Sequence, residues 1–361
     1  MARALELGYG ARVLPGVGRL GETSVLTLSA ELVSGEFLPG APDQLAAAVD
    51  LLADYAVAPR LQDGGFPPDV FAREHALAKA LAAAVFDDKN AWARQRALAC
   101  ACAGEPYGIP DHGGDEALSA VDRFAPVEAL DDFLRRGRLW CVAMGSIPED
   151  LPDRIEPLLS SFPESSPEVV PRPACPDRRA TRRAREAAEA RQARSVMSFR
   201  IPAPRDAAEL CAQHAFASLF GGGPHSLLFK EVREKRSLVY HIGAGLDPHK
   251  GILIVQSGTD GAALDEVETE VERQLRRIAE GSFADAELAA AIETLCGAVT
   301  AVDDSLAGRM HFTAEQFLLG FDQDPDQRRE SYRAVGRGDV ARAAGSAWLD
   351  HCYALVPEGR E

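Results

Sequence analysis

Leu219-Phe-Gly-Gly-Gly-Pro-His-Ser-Leu-Leu-Phe-Lys-Glu-Val-Arg-Glu-Lys-Arg-Ser-Leu-Val-Tyr240 is the stretch on which the fold turns. Just before it, Ala207 to Phe220 is apolar at helical spacing, and Gly221-Gly222-Gly223 stops that helix. Pro224 opens a second helix, to Arg236, at the position where its missing N–H costs nothing. Val239 to Leu246 and Gly251 to Gly258 are β-rich, and Asp247-Pro-His-Lys-Gly between them is a hairpin signal. Further out, Ser195 to Pro202 alternates like a strand. Ala263 to Glu280 is an amphipathic helix ending at Gly281, more helices follow, and Cys352-Tyr-Ala-Leu-Val-Pro closes as a strand. The pattern is α+β with antiparallel pairs.

The first half repeats part of this order. Phe66 to Val85 reads as a long helix followed by Asp87-Asp88, and Phe283 to Val302 as another followed by Asp303-Asp304. Each has an amphipathic helix before it (Asp43 to Tyr55; Ala263 to Glu280) and a short apolar strand further on (Leu139 to Met144; Cys352 to Val356). The halves differ in one place. Strand Ser24 to Leu32 reaches Asp43 through only ten residues, 33–42, where the second half carries two helices and a strand. The expected architecture is two related α/β sandwich domains, each an antiparallel sheet packed with helices. They span 1–164, shortened, and 194–361. A Pro-rich and Arg-rich linker, 165–193, joins them, its Arg run Asp177 to Arg185 read as solvated. A first domain lacking that block is expected to expose apolar surface and to pair with itself or a partner.

Composition narrows the function classes. The chain has 361 residues, 46% hydrophobic and 26% charged, and Lys+Arg 39 against Asp+Glu 55 gives 39 − 55 = −16. That acidity argues against nucleic acid or an anionic membrane as the main partner. No apolar run is long enough to cross a bilayer, and Met1-Ala-Arg-Ala-Leu-Glu-Leu lacks the apolar core of a signal peptide. Seven cysteines, odd in number and in apolar surroundings, fit reduced thiols and a cytoplasmic setting. Gly221-Gly-Gly lacks the Gly-Lys-Ser/Thr ending of a phosphate loop, and there is no Gly-x-Ser-x-Gly elbow. Cys211 and His214 share one apolar helix face, the setting of a buried thiol.

The Gly-rich stop, the helix with Leu-Phe and Arg-Glu, and the Leu-Val-Tyr strand resemble the C-terminal domain of pitrilysin/insulinase-type metallopeptidases. Phe86-Asp-Asp-Lys and Gly104-Glu-Pro-Tyr-Gly resemble post-helix segments of that family's N-terminal domain. The resemblance implies a clam-shell around a peptide chamber and a zinc ion held by His-x-x-Glu-His plus a later Glu, the first Glu deprotonating the bound water. This chain has no such motif. Its nearest string is Phe71-Ala-Arg-Glu74-His75, on another helix, and the third ligand position falls at Leu81. What the resemblance retains is an Arg and a Tyr seven residues later, Arg233 and Tyr240, which clamp the polarised carbonyl of a bound peptide; one such donor is worth roughly 2.7–4 kcal/mol. Gly222, Gly223 and Lys235 are expected beside the peptide. Lys230, Lys235 and Lys250 form either a positive patch for an acidic peptide or a solvated face. The implied function is the zinc-less subunit of a heterodimeric peptidase acting on short unfolded peptides, with no cofactor in this chain and zinc in a homologous partner. A homodimer and a non-enzymatic scaffold subunit are the alternatives.

Overall fold

A computed structural model describes residues 10–163 and 175–358. Most of the Pro-rich segment, from residue 165 to residue 174, lies outside the described residues. In the first half, β1 (Arg12–Leu20) and β2 (Thr23–Glu31) are followed by α1 (Gln44–Val57), α2 (Pro68–Ala84), α3 (Lys89–Ala101), α4 (Asp115–Ala120), α5 (Ala125–Arg136) and α6 (Leu151–Ser161). In the second half come β3 (Arg182–Ala188), β4 (Ala193–Arg200), α7 (Ala207–Gly221), a π-helix (Phe229–Lys235), β5 (Val239–Asp247) and β6 (Ile252–Thr259). Then follow α8 (Leu264–Ala279), α9 (Asp285–Asp303), α10 (Leu306–Leu319), α11 (Pro325–Arg333), α12 (Arg337–Ser346) and β7 (Trp348–Pro357). No helix among the described residues is long and apolar enough to cross a membrane.

The chain divides into two units. One is drawn from residues 1–19, 23–80 and 111–170. Its sheet is the β1–β2 pair, and α1 packs on β2 and on α6. Asp43 caps α1 through the Ala46 N–H at 3.0 Å and also receives Arg154 of α6 at 2.7 Å. Burial here is thin. Val49 and Ala56 of α1 are buried, whereas Val17 is 85% and Phe37 72% exposed. Leu139 to Met144, expected as a strand, forms none, and Leu139 and Trp140 stand exposed. Its apolar composition is strand-like, but no neighbouring strand receives it.

The second unit, from 20–22, 81–110 and 171–361, holds a five-stranded sheet in the order β3-β7-β4-β6-β5. The expected antiparallel sheet is corrected to a mixed one, because β3 runs parallel to β7. The Arg run therefore is not a solvated connector along its whole length, since Arg182–Ala188 is a strand. One face of the sheet is covered by α7, α8, α9 and α12, with Phe216, Phe220, Val267 and Leu253 in the core. α7 is buried nearly all round, which removes any amphipathic stripe from its sequence. On the other face lies α3. Its Ala93, Ala97 and Ala101, one helical face, let it sit close against Val196, Ile254 and Tyr353. Residues 81–110, which the sequence places in the first domain, thus pack within the second unit.

Candidate functional site

The π-helix sets the first functional side chain. Such wide turns are rare and occur frequently at functional sites. Val232 is buried beneath it, and Arg233, next in sequence, points outward with its guanidinium over the Phe229 ring, 4.7 Å from the centroid. Among the described residues no carboxylate pairs with Arg233. The turn closes through the Ser237 N–H, which donates to the Arg233 carbonyl at 3.2 Å, and Ser237 takes φ +54°, a left-handed conformation in a residue with a side chain. Two residues later the chain enters β5.

There the ladder with β6 slips. Val239 opposes Thr259 and His241 opposes Gly258, so Tyr240 is the extra residue of a β-bulge. Bulges re-aim side chains and gather next to active sites. Tyr240 is 52% exposed and its hydroxyl donates to Asp260 Oδ1 at 3.1 Å. That hydrogen bond, with the Asp260 charge behind it, raises the phenol above its ordinary range, so it stays a donor at neutral pH. Left-handed Ser237 and the bulge together turn Arg233 and Tyr240 out of the packed core.

The other residues expected at the site have different surroundings. Gly222 ends α7, its N–H donating to Ser218 at 3.0 Å, and a Cβ there would lie 2.7 Å from Ser218 Cα. Gly223, at φ +148°, makes the turn into the next helix. Lys235 donates to Glu231 at 2.9 Å, and Arg277 shares that carboxylate. Lys250 is buried and paired with Glu22 and Glu105. Two of the three lysines read as a patch are therefore committed to carboxylates. Cys211 is a buried thiol, pushed up to about 11 by burial, and His214 holds the Tyr332 hydroxyl at 2.7 Å instead of a thiolate. Sequence reading missed His241 and Arg194, which the sheet register sets on either side of Gly258, and Arg94 of α3, which lies with His241 along one groove. The signal available was the alternation His241-Ile-Gly243-Ala-Gly245, one bare face on a strand.

A zinc ion does not fit the donors present. His75 on α2 has its Nε2 2.6 Å from the Leu118 carbonyl and its ring stacked on Phe71, Glu74 is bound by Arg73, and Leu81 is an exposed hydrocarbon. Among the described residues no three His, Cys, Asp or Glu side chains are grouped to hold a metal.

Residues 128–295 match the family described as the peptidase M16 inactive domain. The chain is 21% identical over 347 residues to the probable inactive metalloprotease YmfF of Bacillus subtilis (strain 168), covering 96% of this chain and 82% of that protein. A conserved protein of Enterococcus faecalis V583 superposes with a TM-score of 0.90 at 22% identity, over 99% of this chain and 85% of the other. A peptidase M16 inactive domain from Pseudomonas fluorescens superposes with a TM-score of 0.78 at 17% identity, over 100% and 84%. Over residues 128–295 the sequence is thus similar to the family described as the peptidase M16 inactive domain, and the fold along the chain is that of such proteins.

Proposed function

We propose that this chain is the zinc-less, peptide-gripping subunit of an M16-type peptidase. It presents Arg233 and Tyr240 to the backbone of an unfolded peptide while a homologous subunit with His-x-x-Glu-His supplies the metal and the water. In this reading the first half is a shortened copy of the second, and its apolar surface is where the partner, or a second copy, packs. The observation that carries the reading is the presentation of Arg233. It is a guanidinium with no carboxylate partner among the described residues, exposed on a π-turn that a left-handed serine follows, with an exposed phenol on the next strand. A fixed guanidinium donates charge-assisted hydrogen bonds to a polarised carbonyl. The Tyr240 hydroxyl adds a second donor once it swings from Asp260 to the peptide.

The test uses the full chain mixed with such a partner. Arg233→Ala is expected to lower kcat/KM for peptide cleavage by roughly 10²–10³, the usual loss for one oxyanion donor, and Tyr240→Phe to lower it less. Both variants leave an exposed site, so their melting temperatures should match wild type. Cleavage at the wild-type rate by both variants overturns the clamp and leaves a scaffold subunit as the reading.

A further inference from the structure

A tyrosine hydroxyl carries one proton, so it donates one hydrogen bond at a time. The Tyr240 hydroxyl donates that bond to Asp260 Oδ1 at 3.1 Å. The sheet builds the contact. Val239 of β5 opposes Thr259, the last residue of β6, and Tyr240 is the bulged residue beside that pair. Thr259 ties the two strand ends together through its Oγ1, which donates to the Leu238 carbonyl at 2.5 Å. Asp260 is the next residue on, at the start of the turn Gly261–Ala263 that leads into α8. A bulge re-aims its residue, here toward a carboxylate at the end of the neighbouring strand.

The contact is not a by-product of packing or capping. Asp260 is exposed, and its side chain makes no capping bond to the turn it precedes. That turn closes through the backbone instead, the Ala263 N–H donating to the Asp260 carbonyl at 2.9 Å. The phenol is itself half exposed. Its companion is arranged differently: Arg233 lies over the Phe229 ring and has no carboxylate partner among the described residues. One donor of the pair is free, and the other is held.

We propose that Asp260 is a positioning residue that restrains Tyr240, keeping its proton from a resting peptide and yielding it only to a carbonyl oxygen that has gained negative charge. The proposal rests on reading Arg233 and Tyr240 as the clamp, and supplies the regulation of that clamp. Hydrogen bonds to an ionised acceptor are roughly twice as strong as neutral ones. A neutral amide carbonyl is therefore the weaker acceptor, and Tyr240 stays on Asp260. A carbonyl oxygen with developing charge competes on equal terms, and the hydroxyl turns to it. A wall built this way grips firmly only where a facing subunit polarises the peptide. The restraint also opposes cleavage, because the bond to Asp260 must break in that step. Without Asp260 the phenol would meet the peptide before the reaction as well as during it.

Two measurements on the full chain test this. Alkaline difference spectroscopy needs no partner. One phenol, identified by its loss in Tyr240→Phe, should titrate at lower pH in Asp260→Ala than in wild type, because the acceptor and the charge that raise it are gone. The second measurement is cleavage of an unstructured quenched-fluorescence peptide in a mixture with a His-x-x-Glu-His homologue. Asp260→Ala should raise kcat/KM about threefold to tenfold and lower KM, the worth of one exposed hydrogen bond. Asp260→Asn, a neutral acceptor of the same size, should fall between. Combined with Tyr240→Phe, Asp260→Ala should gain nothing over Tyr240→Phe alone. An unmoved phenol, cleavage by Asp260→Ala no faster than wild type while Tyr240→Phe is slowed, or a gain that survives Tyr240→Phe each overturns the restraint. Cleavage at the wild-type rate in both Arg233→Ala and Tyr240→Phe is the separate failure of the clamp, and removes the restraint with it.

Discussion

Asp350 has no exposed side-chain surface, and three guanidinium groups reach it: Arg179 at 2.8 Å, Arg182 at 3.1 Å and Arg200 at 3.0 Å. Arg200, itself buried, also bonds to Glu105, so the two ions are satisfied on both sides. Burial alone would raise the Asp350 carboxyl, but hydrogen bonds from Arg179 and Arg200 outweigh it and hold the group at about 2, against 3.8 when free. A carboxyl depressed on folding adds stability that is complete above about pH 4 and drains away as pH falls toward 2, here on the order of 2 kcal/mol. Asp350→Asn should destabilise the chain by about 3 kcal/mol or more at neutral pH, because it leaves the buried Arg200 guanidinium underpaired. It should also flatten the loss of stability between pH 4 and pH 2. Urea unfolding at several pH values measures both effects; an unchanged acid limb would contradict the assignment. The same residues explain why the Arg run misleads as sequence. Its partners, Asp350 and Glu268, lie 168 and 85 positions away, and nothing local announces them.

At the scale of the element, α7 meets β5 through Gly221. A Cβ there would come within 2.5 Å of the Ala244 Cβ and 2.7 Å of the Ala244 backbone nitrogen. Gly221→Ala should therefore push α7 off the strand, costing about 1–3 kcal/mol as overpacking does, and lower the rate of any clamp chemistry along with the melting temperature. Gly245→Ala, with open space around it, should leave the melting temperature in place. A thermal melt of both variants separates close packing from general loss of a glycine. Helices and strands of this half were legible because their apolar periodicity is strong and their breaks are glycines, from the stop at Gly221 to the hairpin at Asp247-Pro. The π-turn and the bulge were not. Each inserts one residue into a regular ladder without altering the polar and apolar order of Phe229 to Leu246, and each is what aims Arg233 or Tyr240. Arg233 and Tyr240 were recognised from a family pattern of spacing, whereas the row of Arg194, Gly258 and His241 arises from register across three strands. Leu139 to Met144 marks the opposite error: local composition suited a strand, and strand pairing is a nonlocal event.

For the whole molecule, the two units contrast. The second buries a large core on both faces of its sheet. In the first, a two-stranded pair is the whole sheet among the described residues, an arrangement marginal by itself in water. Exposed Val17, Phe37, Leu61 and Leu77 add apolar surface of the kind that marks interaction sites. Concentration-dependent self-association is therefore expected by sedimentation velocity, and Val17→Asp with Phe37→Asp should shift the chain toward monomer without lowering its melting temperature. A chain that stays monomeric at all concentrations and gains no partner would remove the interface. The central claim, a wall that grips peptide and leaves metal chemistry to another chain, has one direct measurement: peptide turnover in zinc-buffered solution by this chain, by a homologue carrying His-x-x-Glu-His, and by their equimolar mixture. Zinc-dependent turnover in the mixture, well above that of the homologue by itself and missing from this chain, is the expected result. Turnover by this chain unaided, or a mixture no faster than the homologue, would contradict it.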